Sequence, residues 1–166
     1  MKKYSILLFF SLLVISGSLF AQKEPITQII LVRHAEKDAG KNPSLTAEGQ
    51  ARAAKLNEIL AKHNIDAVYS TDFNRTIETA NPVANGQNLA VETYDPMQPK
   101  AFLEQIFKSH KGGTVLVIGH SNTIPQLVNM LLGEEKYEHL EEDAYSDIFI
   151  VTIVQGALAK DLHLSY

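Results

Sequence analysis

TQIILVRHAEK, residues 27–37, is the stretch of sequence that decides the fold. Its first six residues are uncharged and rich in β-branched side chains, which predicts a buried strand over 27–32. The run ends abruptly at Arg33 and His34, where a charged segment begins. An arginine and a histidine at the end of a buried strand are placed at the edge of a sheet, where ligands bind in α/β folds.

Strand and helix patterns alternate along the chain beyond this stretch. Apolar residues at helical spacing predict helices over 46–63, 74–84, 99–109 and 123–132. Pro82 is expected to bend or shorten the second helix. Short apolar runs predict strands over 66–69, 89–92 and 114–118, and a closing antiparallel hairpin of 147–154 and 158–164. The sequence therefore predicts an α/β fold of three α/β/α layers, with a mostly parallel sheet covered on both faces.

A second histidine also ends a predicted strand. Gly119 and His120 follow the run 114–118, as Arg33 and His34 follow 27–32. Parallel strands bring their carboxyl ends to one edge, and doubly wound sheets bind ligands there. Either histidine alone is more typical of a hydrogen-bonded structural residue, but the pair at one edge favours a functional site.

An imidazole beside an arginine suits phosphoryl transfer. A neutral imidazole nitrogen attacks phosphorus and becomes phosphohistidine, which divides ester hydrolysis into two easier steps. Arg33, and Arg75 from a later helix, offer planar guanidinium donors that match phosphoryl oxygens. Arg75 alone also fits a solvated helix surface, so only its expected place near Arg33 favours a binding role.

Four stretches together resemble the histidine phosphatase superfamily, which has the phosphoglycerate mutase-like fold. LVRHAEK (31–37) is similar to the Arg-His-Gly signature of this family, and SLTAEGQA (44–51) to its Leu-Thr-x-x-Gly helix start. YSTDFNRTIETA (69–80) resembles the segment of its second arginine, and VLVIGHSNT (115–123) that of its second histidine. Their order and spacing also agree, and the resemblance extends over residues 29 to about 132.

The resemblance implies hydrolysis of phosphomonoesters without metal or cofactor, in a compact branch that lacks a cap. His34 is then the nucleophile, and Arg33, Arg75 and His120 form the phosphate pocket. Two departures stand out, since Ala35 replaces the usual glycine, and Ser-Asn-Thr (121–123) replaces the common Gly-His-Gly. The short connections leave no large insertion to form a lid, so we expect a small, open site for a small phosphorylated substrate.

Three further site residues are predicted less directly. Asp95 is the favoured acid for protonating the leaving oxygen, because it follows the third strand closely; its alternative role is to start the Asp-Pro turn. Asn122 either donates to a phosphoryl oxygen or caps the helix that holds Pro125 in its first turn. Lys37 either adds positive charge at the pocket mouth or is simply solvated.

Composition and the N-terminus indicate an exported, single-domain protein. Lys2 and Lys3 precede an apolar run and then Ser-Gly-Ser, which predicts a secretory signal over 1–21 and a periplasmic or secreted product without a stable membrane anchor. Residues 22–166 are then one domain of 145 residues with 13 basic and 19 acidic side chains, so nucleic acid is not an expected partner. The absence of cysteine excludes disulfides and thiolate metal sites.

Two other functions fit parts of the sequence. A non-catalytic module that binds phosphate or a phosphorylated ligand would keep the arginine pocket but lack a competent acid, as the altered segment around Asp95 permits. A metal hydrolase built on His34 and His120 would need a further cluster of ligands at a recognisable spacing, which the sequence does not show.

Overall fold

The computed structural model describes residues 24–154 and 159–166. The predicted secretory signal and the hairpin turn at 155–157 lie outside these residues. The described part contains four helices, which are α1 (Ala47–Leu60), α2 (Asn74–Gly86), α3 (Pro99–Ser109) and α4 (Thr123–Leu132). Its six strands are β1 (Ile26–Arg33), β2 (Ala67–Ser70), β3 (Val91–Thr93), β4 (Thr114–Gly119), β5 (Asp147–Val154) and β6 (Lys160–Ser165).

The strands form one mixed sheet in the order β3-β2-β4-β1-β5-β6. β1, β2, β3 and β4 are parallel to one another, whereas β5 is antiparallel to β1 and β6 is antiparallel to β5. The predicted α/β class, with its mostly parallel sheet and antiparallel C-terminal pair, is therefore confirmed. Pro82 does not end α2, which continues through it to Gly86.

Helices cover both faces of the sheet. On one face, α3 and α4 contribute Phe102, Ile106, Ile124 and Leu127 to an apolar cluster. On the other, α1 and α2 contribute Leu56, Leu60, Ala80 and Val83. Alternate residues of β1 and β4 point into one cluster or the other, which is why both strands read as continuous apolar runs in the sequence. No helix in the described part of the chain is long and apolar enough to cross a membrane.

Candidate active site

The sheet register brings the carboxyl ends of three strands together. Arg33 is the register partner of Gly119, and Ser70 that of Ile118. His34 N–H donates to the carbonyl of Gly119 at 2.9 Å, so the chain leaves β1 and β4 side by side. The two predicted histidines do lie at one edge, with their ring centroids 5.5 Å apart.

His34 is held as a neutral ring with one defined tautomer. Its side chain is buried, and Nδ1 lies 2.8 Å from the carbonyl oxygen of Ala35. A carbonyl only accepts hydrogen bonds, so Nδ1 carries the proton and Nε2 keeps its lone pair. Burial, with the positive charges of Arg33 and Arg75, lowers the pKa of His34 to about 3. The ring is thus neutral at ordinary pH, with its proton on Nδ1 and its lone pair on Nε2.

His120 has the opposite tautomer. Its Nδ1 accepts from Arg75 Nη2 at 3.4 Å, so Nε2 carries the proton and donates to Thr71 Oγ1 at 2.9 Å. Thr71 Oγ1 in turn donates to Thr76 Oγ1 at 3.0 Å, and Thr76 Oγ1 donates to the carbonyl of Thr71. Burial, and then the charges of Arg75 and Arg33, lower the pKa of His120 to about 4. A one-way chain of hydroxyls therefore fixes the second imidazole.

Arg33 is fixed by the segment that follows α4. Its Nη1 donates to the carbonyls of Glu141 at 2.6 Å and of Ala144 at 3.1 Å. Its guanidinium carbon lies 4.2 Å from the ring centroid of Tyr145, whose centroid is 6.1 Å from that of His34. These contacts leave the buried guanidinium with a fixed direction.

Arg75 is supported in a parallel way by Phe73. The guanidinium carbon of Arg75 lies 4.4 Å from the Phe73 centroid, and the same ring meets His120 edge-on at 5.3 Å. Within residues 24–154 and 159–166, the buried Nε–H groups of Arg33 and Arg75 have no hydrogen-bond partner. Buried donors of this kind are rare, and two on neighbouring guanidinium groups fit the oxygens of a bound anion.

The stacking of Arg33 on Tyr145 leads to a testable prediction. For the phosphate-ester hydrolysis that the sequence resemblance implies, Tyr145→Leu is expected to lower kcat/KM about tenfold, because a cation–π contact contributes about 0.5 to 2 kcal/mol to holding the guanidinium. Tyr145→Phe keeps the aromatic face and is expected to stay within about twofold of wild type. Steady-state kinetics of the pair check this, and equal activity of Tyr145→Leu and wild type would contradict it.

Ala35, the departure from the usual glycine, fits its surroundings. It is fully buried and packs with Leu45 and Ala53. Its N–H donates to Thr79 Oγ1 at 3.0 Å, and Thr79 donates to the carbonyl of Arg75 at 2.7 Å. Thr79 thereby connects the backbone of the residue after His34 to the helix that carries Arg75.

Glu36 anchors the same loop to α1. Arg52 Nε donates to both carboxylate oxygens of Glu36, at 2.8 and 2.9 Å. Burial alone would raise the pKa of Glu36, but the hydrogen bonds and charge of Arg52 hold that pKa below its ordinary value. Glu36 therefore ties the loop after His34 to α1.

Asp95 lies in a turn, as its alternative role requires. Its exposed carboxylate accepts from Met97 N–H at 2.9 Å and from Gln98 Nε2 at 3.1 Å. Neither bond is to His34 or His120, and β3 is separated from β1 by two strands. The acid role of Asp95 stays a prediction from the sequence.

The side chains of Asn122 and Lys37 are both exposed to solvent. Asn122 occupies the N-cap position of α4, but its backbone is helical and its side chain makes no capping hydrogen bond, so the predicted side-chain cap is wrong. Thr123 supplies the local hydroxyl instead and accepts from His120 N–H at 3.0 Å. Lys37 pairs with Leu45 in an isolated backbone bridge. Contacts of Asn122 and Lys37 with phosphate stay predictions.

Sequence reasoning missed the residues that support the four central side chains. Thr71, Phe73 and Thr76 lie within the stretch quoted for Arg75, so their closeness in sequence was the available signal. The sequence gave no signal for the role of Tyr145, because this residue lies 112 positions from Arg33 in a polar segment. In the part of the chain that the structure describes, no group of three His, Cys, Asp or Glu residues is arranged to hold a metal ion.

Comparison with protein families and curated sequences gives partial matches. Residues 29–99 match the model of the histidine phosphatase superfamily (branch 1). Phosphoserine phosphatase 1 of Hydrogenobacter thermophilus is 34% identical over 74 residues, which are 40% of this chain and 35% of that protein. An uncharacterized protein of Mycobacterium tuberculosis is 41% identical over 78 residues, which are 42% of this chain and 38% of that protein. The match thus spans little more than a third of the length of these curated relatives.

Solved structures share the fold over most of the chain. The protein histidine phosphatase SixA, complexed with tungstate, aligns with a TM-score of 0.67 at 23% identity, covering 83% of this chain and 96% of SixA. A structure named mycobacterial hydrolase 1 aligns with a TM-score of 0.72 at 13% identity, covering 85% and 99%. A phosphoserine phosphatase of Entamoeba histolytica in complex with 3-phosphoglyceric acid aligns at 0.67 and 17% identity, covering 84% and 97%.

Proposed function

We propose that the chain, which matches the model of the histidine phosphatase superfamily (branch 1) over residues 29–99, hydrolyses small phosphomonoesters through a phosphohistidine at His34, without a metal ion. One observation carries the proposal. The buried, neutral His34 keeps its lone pair on Nε2, beside two guanidinium groups whose Nε–H donors have no partner among the described residues. The named relatives support the activity, since phosphatases are among them.

The reaction proceeds in two displacements. His34 Nε2 donates its lone pair to phosphorus, the P–N bond forms, and the ester P–O bond breaks with its electron pair leaving on the alcohol oxygen. Water then attacks the same phosphorus, the P–N bond breaks with its electron pair returning to Nε2, and the proton that water loses goes to the base left when the leaving oxygen was protonated, or to solvent. Arg33 and Arg75 supply fixed positive charge beside the transferring group, which stabilises the spread of negative charge in each transition state, and the neutral His120 positions Arg75 through its Nδ1.

The leaving oxygen needs a proton, and the sequence favours Asp95 as its source. The turn contacts of Asp95 do not themselves support that role. An aryl leaving group departs without strong protonation, whereas an alkyl one depends on the acid. Asp95→Asn variants assayed on both esters therefore separate the acid role from the turn role.

The proposed reaction is tested with the full chain, p-nitrophenyl phosphate and excess EDTA between about pH 4 and 8. Turnover in EDTA, together with a phosphoryl group on His34 after an alkaline quench and mass spectrometry, would support the proposal. Turnover that disappears in EDTA and returns with a divalent metal would overturn the metal-independent route.

The two tautomers and depressed pKa values predict the behaviour of the site in acid. At pH 5, His34 is expected to remain neutral with its proton on Nδ1, and His120 neutral with its proton on Nε2, because their pKa values lie near 3 and 4. In the unfolded chain both rings gain a proton near pH 6.5. The unfolded state therefore binds more protons below that pH, and the free energy of unfolding falls as the pH drops from about 6.5 towards 4.

Long-range ¹⁵N–¹H NMR of the imidazole rings at pH 5 measures both states directly. For each ring, we expect the two nitrogen chemical shifts to differ as the stated neutral tautomer requires. In a separate thermal-unfolding experiment, we expect the melting temperature to decrease as the pH is lowered from 6.5 to 4.5. Imidazolium spectra for both rings at pH 5 would contradict the prediction and leave His34 without a lone pair.

The placement of Asp95 also keeps the binding module as a second candidate. An exposed carboxylate engaged in its own turn leaves the pocket able to bind phosphate without an evident proton donor. Calorimetric binding of inorganic phosphate to a protein with no turnover of either ester, unchanged in Asp95→Asn, would favour this second function.

A further inference from the structure

The carboxylate of Glu142 is paired with an arginine of the anion pocket. Its Oε2 lies 4.0 Å from Nη2 of Arg33, and the Glu142 side chain is fully exposed whereas that of Arg33 is only 3% exposed. The other ion pairs of the described residues join a carboxylate to Arg52, Lys55, Lys136 or His163. Within the described part of the chain, Glu142 is therefore the carboxylate that pairs with the pocket.

The hydrogen bonds of Arg33 show which edge of its guanidinium suits an anion. Nη1 donates to the carbonyls of Glu141 and Ala144, so that end is already engaged. Nε–H and Nη2 share the opposite edge, and the buried Nε–H has no partner within residues 24–154 and 159–166. A guanidinium binds a phosphoryl group through two parallel hydrogen bonds from one edge. The Nε–Nη2 edge therefore suits the phosphoryl group, and Nη2 is also the nitrogen next to Glu142.

The backbone that carries Glu142 is fixed against Arg33. The N–H of Ala144 donates to the carbonyl of Glu141 at 3.1 Å, which closes a turn with Glu142 as its second residue. Both ends of this turn give their carbonyls to Nη1 of Arg33, and Tyr145 stacks on the same guanidinium. The position of Glu142 beside the pocket is thus set by the fold, although its side chain is exposed.

The distance between the two groups leaves Nη2 available to a substrate. A direct N–H···O hydrogen bond spans about 2.7 to 3.2 Å, so a carboxylate at 4.0 Å does not occupy the donor. A phosphoryl oxygen bound at Nη2 would have the Glu142 carboxyl group as its neighbour. Two anions this close disfavour each other unless a proton lies between them. A bound phosphate ester therefore favours a protonated Glu142, which is the state that a proton donor needs.

We propose that Glu142 is the general acid that protonates the leaving oxygen, in place of Asp95. This inference rests on the proposed phosphatase activity. His34 is buried and attacks from the inner side of the phosphoryl group, so in-line displacement puts the leaving oxygen on the outer side, where the exposed Glu142 lies.

The proton passes through Glu142 in both steps. As the ester P–O bond breaks, the Glu142 carboxyl group gives its proton to the leaving oxygen and becomes a carboxylate. Water then attacks the phosphohistidine and gives its proton to that carboxylate, while the electron pair of the P–N bond returns to His34 Nε2. The carboxyl group is restored at the end of the cycle, and inorganic phosphate is released.

Single-turnover release of the alcohol isolates the first step. The full chain is mixed with p-nitrophenyl phosphate, whose aryl leaving group departs without strong protonation, or with benzyl phosphate, whose alcohol depends on the acid. Glu142→Gln is expected to slow the release of benzyl alcohol about 100-fold, since general acid catalysis contributes about 10²- to 10⁴-fold. The release of p-nitrophenol is expected to stay within about threefold of wild type, because this step needs little protonation.

Two further variants assign the loss to this carboxylate. Asp143→Asn removes the same charge from the next residue of the turn, which is also exposed, and should leave both release rates unchanged. Asp95→Asn tests the competing acid in the same assay. Circular dichroism and calorimetric binding of inorganic phosphate check that Glu142→Gln is folded with an intact pocket, as expected for a fully exposed side chain.

The outcomes separate this inference from the proposed function. Equal effects of Glu142→Gln on the two esters, an equal loss in Asp143→Asn, or a selective loss in Asp95→Asn instead would overturn the role of Glu142 and leave the phosphatase standing. Wild-type protein that hydrolyses p-nitrophenyl phosphate but not benzyl phosphate would overturn it too, because no acid would then be at work. An absence of any His34-dependent hydrolysis would overturn both.

Discussion

Replacing His34 with alanine is expected to lower kcat for phosphomonoester hydrolysis by at least about 10³-fold, since the covalent route has no other nucleophile in its place. The hydrogen bond from Nδ1–H of His34 to the Ala35 carbonyl leaves the lone pair on Nε2, which is the proposed nucleophile. Truncation removes that lone pair and leaves direct attack by water on an ester held by the arginines. Single-turnover and steady-state assays with p-nitrophenyl phosphate measure the loss.

The loss must be separated from a loss of structure. The ring of His34 is neutral and buried, so His34→Ala is expected to keep the fold and to bind inorganic phosphate, which calorimetry and circular dichroism check. His63→Ala, at an exposed histidine after α1, is the matched control and should retain wild-type turnover. Residual activity of His34→Ala above about one tenth of wild type would show that the imidazole is not the nucleophile.

Gly49→Ala is expected to lower the free energy of unfolding by about 3 kcal/mol, because a side chain at this position has no room. A Cβ on Gly49 would lie 2.1 Å from the carbonyl oxygen of Glu36. Glu36 lies only two residues after His34. The same carbonyl accepts the N–H of Thr46, whose hydroxyl caps α1 by accepting from Gly49 N–H at 3.1 Å. The helix start therefore rests on the active-site loop with no gap.

The expected decrease in melting temperature is about 6 to 12 °C for a domain of this size, measured by calorimetry. Activity should fall as well, since relieving the clash moves Glu36, two residues from His34. Gly86→Ala is the matched control at another helical glycine, because the atoms nearest to a Cβ there all belong to the side chain of Asn57, which can rotate away. Equal melting temperatures for the two variants would contradict the steric explanation.

The Leu-Thr-x-x-Gly stretch shows which features of the fold can be predicted from the sequence and which cannot. Its resemblance to a family pattern predicts a helix start, and Thr46 does cap α1. The reason for the glycine, however, is the backbone of Glu36, which reaches it only in the folded sheet. Asp95 shows the opposite case: two roles were compatible with its sequence, and the structure supports the turn through Met97 and Gln98.

The sequence by itself determined the order of strands and helices and the meeting of Arg33, His34 and His120 at one edge. Hydrophobic periodicity is a local property, and parallel strands that end in polar residues place those residues at the same edge. Only the tertiary structure decided the tautomer of His120 and the fixed direction of Arg33. Each depends on a carbonyl, hydroxyl or ring from a segment distant in sequence, such as Glu141 and Tyr145 beside Arg33, and no local pattern encodes such a contact.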